Sequence, residues 1–149
     1  HDNLTSIGGI TYSAEEKEFA DKIALSLGQK EADIDRALSI QPYKEEARAY
    51  GSTDVGDVSF VVPTVGFGTA TWVPGTSAHS WQAVAAGGTT IGEKGMMVAA
   101  KTITATAIDL FQNKELIEKA TLEFNNRRGK SFIYKPLLGN RPPALDYRK

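Results

Sequence analysis

The first apolar pattern of the chain belongs to an amphipathic helix near its start. Ser13 and Glu16 are spaced as in a capping box, in which each side chain accepts a hydrogen bond from a backbone amide at the helix start. Behind them Phe19, Ile23 and Leu27 recur at four-residue spacing, which places them on one helical face. The glycine that follows Leu27 predicts the end of this helix.

Apolar and polar positions predict further helices along the chain. Their ranges are 31–38, 55–62, 92–111 and 114–128. In the long helix the apolar positions recur at three- and four-residue steps, and its many small residues suit close packing on a sheet. The predicted inward positions are Met96, Ala99, Ala100, Ile103, Ala107 and Leu110.

One segment, Val65 to Val73 (VGFGTATWV), has the β-branched and aromatic residues of a strand. Its glycines, Gly66 and Gly68, predict close packing or a bend. A single strand cannot form a sheet, and the chain supplies hardly any partner strands. We therefore expect residues 1–149 to be one partial domain, the later part of a larger α/β domain in which helices pack on a few strands. Residues 130–149 contain three prolines and are predicted to form an extended C-terminal tail.

Composition narrows the functional classes. The chain has 149 residues, 41% of them hydrophobic and 23% charged, as in ordinary globular proteins. Its net charge of −1 gives no electrostatic reason to bind nucleic acid or an anionic membrane. The absence of cysteine excludes disulfides, thiolate metal sites and cysteine nucleophiles, and fits a cytoplasmic protein. No apolar run is long enough to span a membrane, and His1 is interpreted as a boundary residue.

The turn formed by Gly51, Ser52, Thr53 and Asp54 is the first candidate site. Amides at a helix start, together with two hydroxyls, can bind a substrate carboxylate or phosphate. The alternative is an ordinary helix N-cap, and composition favours that alternative. Asp57 lies one helical turn beyond Asp54, so the two carboxylates could serve acid–base work, bind a metal or only complement the helix dipole.

His79 is the second candidate, because it is the only interior histidine and lies in a loop of small residues. Imidazole is a common zinc ligand, and a hydrogen-bonded loop histidine is the alternative. A working metal site needs at least three protein ligands, which histidine and cysteine cannot supply here. Trp72 and Trp81 flank this loop, and they either form the walls of an aromatic pocket or pack in the core.

Three stretches (GSTDVGDVSFVVPT, TATWVPGTSAHSWQAVA and IGEKGMMVAAKTITATAIDL) closely resemble the C-terminal part of the M20-type metallopeptidase and amidohydrolase family. The similarity is with the aminobenzoyl-glutamate utilization protein B branch. It implies the C-terminal portion of a zinc-aminopeptidase-like catalytic domain, an α/β fold with a smaller lid domain. It also implies cleavage of aminobenzoyl-glutamate or N-acyl amino-acid amides by a centre that contains Zn or Mn.

The resemblance assigns roles to both candidate sites. It places His79 at the family's last metal-ligand position, and the turn from Gly51 to Asp54 at a substrate-facing helix start that receives a carboxylate. Residues 1–12 would end the connection to the lid domain. Glu93 stands where the family pattern leads us to expect histidine, so a role for it is in doubt.

The departures from the family pattern concern the rest of the centre. The His-x-Asp motif, the bridging aspartate and the Glu-Glu pair are not in this sequence. We therefore expect no catalytic residue here, no activity from the chain alone, and association with the missing catalytic portion or with a second copy. A carboxylate-binding module and an interaction domain are the alternatives.

Overall fold

The computed structural model describes residues 1–45, 51 and 53–146. The chain divides into two compact units, and each is described by itself. The core unit comprises His1–Ala47 and Phe67–Gln112, and the tail unit comprises Arg48–Gly66 and Asn113–Lys149.

The core unit is built from helices. It contains α1 (Asp2–Ile7), α2 (Ala14–Ser26), a 3-10 helix (Ile34–Leu38), α4 (Trp81–Gly87) and α5 (Thr90–Gln112). The helix predicted at 31–38 is therefore shorter and tighter than expected. The backbone amide of Ala32 donates to Asp21 at 2.9 Å, which fixes the turn before it.

Helix α2 forms as its sequence predicts. The Ser13 hydroxyl accepts from the Glu16 amide, and the Glu16 carboxylate accepts from the Ser13 amide, so the capping box is confirmed. Ile23 is buried, and Phe19 and Leu27 pack partly buried beside it. The hydrophobic core of this unit consists of Ala20, Ile23, Ile34, Val73, Ala86 and Ile91.

Helix α5 forms where it was predicted, but the face it buries is different. Met96 and Ile103, predicted to point inward, are 56% and 58% exposed. The buried positions of the helix are Ile91, Gly92, Gly95 and Thr102. A Cβ at Gly95 would lie 2.1 Å from the backbone oxygen of Ala70. The buried face of α5 therefore needs small residues here, because the backbone at Ala70 passes close to the helix. The prediction of the inward face is wrong, because close backbone approach selected small residues over large apolar ones.

The tail unit contains α3 (Val55–Ser59) and α6 (Lys114–Arg128). Asn113 caps α6 by accepting from the Glu115 amide. The aromatic rings of Phe60 and Phe132 stack with centroids 5.3 Å apart. Residues 130–146 form turns and irregular chain, with no helix or strand. The predicted helix at 55–62 ends at Ser59 and continues as a turn.

The predicted α/β fold, with helices packed on a few strands, is wrong for the described residues. They form helices, turns and irregular chain, and no strand occurs among them. The segment from Val65 to Val73 is irregular, with Val65 and Phe67 exposed. Residue type alone favoured a strand, but a strand needs a partner for its backbone hydrogen bonds, and no described segment provides one. Gly66 and Gly68 have open space around them, so the close packing expected there is also absent.

Within the described ranges, none of the helices combines the length and the apolar character that crossing a bilayer requires.

Candidate functional site

His79 adopts an unusual backbone conformation. Its φ of 60° is the only positive value at a non-glycine position among the described residues. The left-handed region is uncommon for residues with a Cβ, although histidine is enriched there. Strained positions of this kind cluster at functional sites, and an observed outlier supports a functional hypothesis. The imidazole is exposed, and its side chain makes no hydrogen bond to any described residue.

The left-handed turn at His79 leads directly into α4. The Ser80 hydroxyl accepts from the Ala83 amide at 3.2 Å and donates to the Ser77 carbonyl at 2.7 Å. These two bonds cap the helix and close the turn, because an N-cap side chain satisfies an amide that has no partner within the helix. The loop therefore holds His79 next to a fixed helix start.

Helix α4 buries one side and exposes large apolar groups on the other. Gln82, Ala83 and Ala86 are buried. Trp81 and Val84, three residues apart and so on one face, are exposed. This arrangement places the small residues inward and an indole outward, the opposite of what core packing favours.

The exposed side of α4 and the loop before it form an open depression of about 650 Å³. Pockets that bind small molecules have volumes of about 300–1,000 Å³. Trp72 and Trp81, which the sequence left as either pocket walls or core residues, both contribute to it. The lining residues are Trp72, His79, Ser80, Trp81, Ala83 and Val84.

The described residues do not fit a complete metal centre. Among them no three histidine or acidic side chains come close enough together to hold an ion. A catalytic zinc needs three protein ligands and an open position, and His79 offers one imidazole. The described part of the chain therefore does not bring together three ligands of its own.

The turn from Gly51 to Asp54 belongs to the tail unit, whereas His79 belongs to the core unit. Ser52 lies outside the described residues. The Thr53 hydroxyl accepts from the Val55 amide at 3.2 Å, a local bond just before α3, whose N-cap residue is Asp54. Asp54 makes no such bond through its side chain. A carboxylate-binding role for Gly51, Thr53 and Asp54 stays a prediction.

Asp57 and Glu93, also singled out from sequence, have simple surroundings. Asp57 accepts a hydrogen bond of 2.7 Å from the Tyr134 hydroxyl, and that bond raises the pKa of Tyr134. The carboxylate of Asp57 therefore has a structural partner within the tail unit. Glu93 is exposed in the first turn of α5, where acidic residues complement the helix dipole.

The sequence missed a buried ionic cluster around Glu16. This carboxylate is 7% exposed and accepts from Lys94 Nζ at 2.6 Å as well as from Thr90 and the Ser13 amide. Burial alone would raise the pKa of Glu16, but the hydrogen bonds and the charge of Lys94 lower it to about 2. Lys94 Nζ also donates to the Thr11 carbonyl at 2.7 Å. The cluster thus ties α2 to α5 within the core unit.

Tyr12 lies beside this cluster. Lys94 Nζ is 5.5 Å from the centroid of its ring, within range of a cation–π interaction. Burial, with the nearby charge of Glu16, raises the pKa of the Tyr12 hydroxyl. In the sequence, the capping box already accounts for a glutamate at position 16. Nothing in the sequence therefore indicated that Glu16 also forms an ion pair with Lys94 of α5.

Comparison with known proteins relates the chain to one component of a hydrolase. The chain is 37% identical over 93 residues to the B subunit of p-aminobenzoyl-glutamate hydrolase from Escherichia coli (strain K12). The match covers 62% of this chain and 19% of that protein. No protein-family model matches the chain. No solved structure matches it either.

The comparison confirms the resemblance to the aminobenzoyl-glutamate utilization protein B branch, as partial homology. The chain spans about a fifth of the length of the curated relative that it matches. The homology thus supports a hydrolase-related function, while the relative's complete activity is not carried over to this chain.

Proposed function

We propose that this chain is a segment of a metal-dependent amidohydrolase of the M20 type. The substrates would be aminobenzoyl-glutamate or other N-acyl amino acids with a free carboxylate. The homology to a component of p-aminobenzoyl-glutamate hydrolase supports this proposal. The observation that carries it is His79, exposed, without a hydrogen-bonding partner among the described residues and left-handed at the edge of an aromatic depression.

In this proposal His79 contributes one ligand to a centre that contains Zn or Mn. The other ligands and the general base come from segments outside this sequence, so the chain alone has no amidase activity. Neutral imidazole is a suitable ligand for either metal, and an exposed side chain without an internal hydrogen bond remains available to coordinate.

The turn from Gly51 to Asp54 is proposed to receive the substrate carboxylate. The glycine and hydroxyl residues of the turn support this role. The Val55 amide, now bonded to Thr53, would have to exchange that partner for the ligand.

The exposed apolar side of α5 supports association with other parts of the enzyme. Met96, Met97, Ile103 and Ile108 are all exposed along this helix in the core unit. Extended exposed apolar surfaces commonly mark interaction sites. We place the protein in the cytoplasm, associated with the remaining catalytic portion or with a second copy, and with neither nucleic acid nor membrane as a partner.

A chimera tests the proposed role of His79. A segment of this chain that contains His79 and Phe111 replaces its counterpart in the E. coli relative, and hydrolysis of p-aminobenzoyl-glutamate is measured with His79 and with His79→Asn. Asparagine also tolerates the left-handed conformation, so this variant removes the imidazole and keeps the turn. Phe111→Leu, at an exposed aromatic position outside the depression, is the control.

We expect the His79 chimera and the Phe111→Leu control to hydrolyse the substrate. His79→Asn should lower kcat/KM by more than about tenfold, because loss of a ligand's hydrogen-bonding partner alone commonly costs about 10–100-fold. Equal activity of His79→Asn and the control would contradict the proposal. That result would favour the alternative, a carboxylate-binding or interaction module without chemistry.

A further inference from the structure

We infer that the depression beside His79 binds the aromatic ring of an aryl amide, with Trp72 and Trp81 as its walls. This inference rests on the proposed function, because it assigns one part of the proposed substrate to one place in the core unit. It adds a binding subsite made of residues other than His79 and the turn from Gly51 to Asp54.

The exposure of the two indoles is the first argument. Trp72 is 38% exposed and Trp81 63% exposed, although tryptophan side chains are normally largely buried. Neither ring pairs with another aromatic ring among the described residues. Both therefore have surface free for a ligand, and aromatic rings bind each other in stacked or edge-to-face geometry.

The fixed position of Trp81 is the second argument. It is the first residue of α4, directly after the capping residue Ser80. The buried residues Gln82 and Ala86, which do not line the depression, fix the inner side of the helix in the core. Because the backbone of Trp81 is held at the helix start, only its side-chain torsions have to be ordered when a ring binds, which limits the entropic cost of binding.

The chemistry of the lining selects a neutral ring and not a carboxylate. Apart from the His79 imidazole, the depression is lined by two indoles, two aliphatic side chains and the Ser80 hydroxyl. That hydroxyl already accepts from the Ala83 amide and donates to the Ser77 carbonyl. Among the described residues no lysine or arginine lines the depression, so it offers no permanently charged partner for an anion.

The imidazole of His79 relates the proposed ring-binding subsite to the proposed metal centre. His79 lines the same depression as both indoles. A ring bound there would bring the amide attached to it toward the imidazole. The acyl side of an aryl amide would then lie in the core unit, beside the residue that we propose as a metal ligand.

The chain allows an unusually direct test, because Trp72 and Trp81 are its only two tryptophans. A ¹⁵N-labelled sample of the whole chain therefore gives two indole N–H signals, and both report on this depression. N-(4-aminobenzoyl)-glutamate is titrated without metal, and N-acetyl-glutamate is the matched ligand, with the same amide and carboxylates but no ring.

We expect the aryl amide to shift both indole signals saturably, with a Kd in the millimolar range because the depression is open. N-acetyl-glutamate should leave them unchanged. Trp81→Leu should weaken binding about tenfold, equivalent to about 1.4 kcal/mol, whereas Phe111→Leu should not. Absence of a saturable shift, equal shifts with both ligands, or unchanged affinity in Trp81→Leu would each overturn the inference.

The metal-ligand role of His79 and the aromatic subsite can be overturned independently of each other. The indole titration contains no metal and does not depend on hydrolysis, whereas the chimera measures activity. An active chimera that requires His79, combined with indole signals that do not respond, would overturn only the aromatic subsite. Indole signals that respond, combined with an active His79→Asn chimera, would overturn only the metal-ligand role.

Discussion

Two regions of the core unit differ in what they bury: one buries a charged group together with its hydrogen-bonding partners, and the other exposes an imidazole and an indole. Where α2 meets α5, the carboxylate of Glu16 is buried, but Lys94, Thr90 and a backbone amide all donate to it. In the loop before α4, the imidazole of His79 is exposed without such a partner among the described residues, and the indole of Trp81 is exposed beside it.

The difference separates residues that stabilise the fold from residues that are available to a ligand. At Glu16 every local preference agrees with the structure, as expected where a sequence is selected for stability. By contrast, the backbone conformation of His79 and the exposure of Trp81 depart from such preferences. Departures of this kind are expected at functional sites, because ligands can later satisfy the exposed groups.

The largest loss of stability should come from adding a side-chain atom where α5 contacts the backbone at Ala70. Gly95→Ala would place a Cβ 2.1 Å from the Ala70 oxygen. In an open helix this change normally stabilises by up to about 1 kcal/mol. Here we expect a loss of about 3 kcal/mol through overpacking. Gly56→Ala in α3, where the space is open, is the matched control, and urea unfolding of both variants measures the difference.

Breaking the Glu16 cluster should have the next largest effect. Glu16→Gln removes the negative charge that Lys94 contacts at 2.6 Å, and Lys94 is 36% exposed. Because water can partly solvate the lysine, we expect a loss of about 2 kcal/mol, within the range for hydrogen bonds to charged groups. Glu18→Gln, which removes an exposed pair with Lys22, should leave the unfolding free energy nearly unchanged. Equal losses in both variants would show that burial does not strengthen the Glu16 pair.

The same cluster predicts an acid transition. The pKa of Glu16 is lowered from 4.5 to about 2 in the folded chain, so its ionised form stabilises the fold. That contribution is fully present above pH 4.5 and is lost progressively as the pH falls toward 2. Thermal unfolding of the wild type should become easier over this range, and Glu16→Gln should show a smaller dependence. Parallel pH profiles of the two proteins would contradict the assignment.

The smallest effect on stability should come from His79 itself. A left-handed conformation costs an ordinary residue about 1 kcal/mol, and glycine has no such cost. Because His79 already has most of that cost, we expect His79→Gly to stabilise by up to about 1 kcal/mol and His79→Ala to change the free energy of unfolding by less than about 1 kcal/mol. A much larger loss in both variants, measured by urea unfolding, would mean that the imidazole stabilises the fold, and the comparison with Glu16 would fail.

Sequence reasoning was most accurate where the structure depends on neighbouring residues. The capping box of Ser13 and Glu16, the cap of α6 at Asn113 and the position of α5 follow from local patterns, and all three are confirmed. Such features need only a few consecutive residues, because their hydrogen bonds run between close positions along the chain.

Features that depend on distant parts of the chain could not be predicted in the same way. The segment from Val65 to Val73 has strand-forming residues, but a strand depends on partners that its own sequence does not encode. The buried face of α5 is set by the approach of Ala70 to Gly95, and the second role of Glu16 by Lys94. For the candidate site, the sequence pointed to His79 and both tryptophans, but not to the left-handed turn.

Metal analysis of the chimera tests the central claim most directly. The His79 and His79→Asn chimeras are purified in the presence of Zn or Mn, desalted, and compared for metal bound per chain. We predict that His79→Asn retains substantially less metal, whereas Phe111→Leu retains as much as the His79 chimera. Equal metal content in all three would contradict a ligand role for His79.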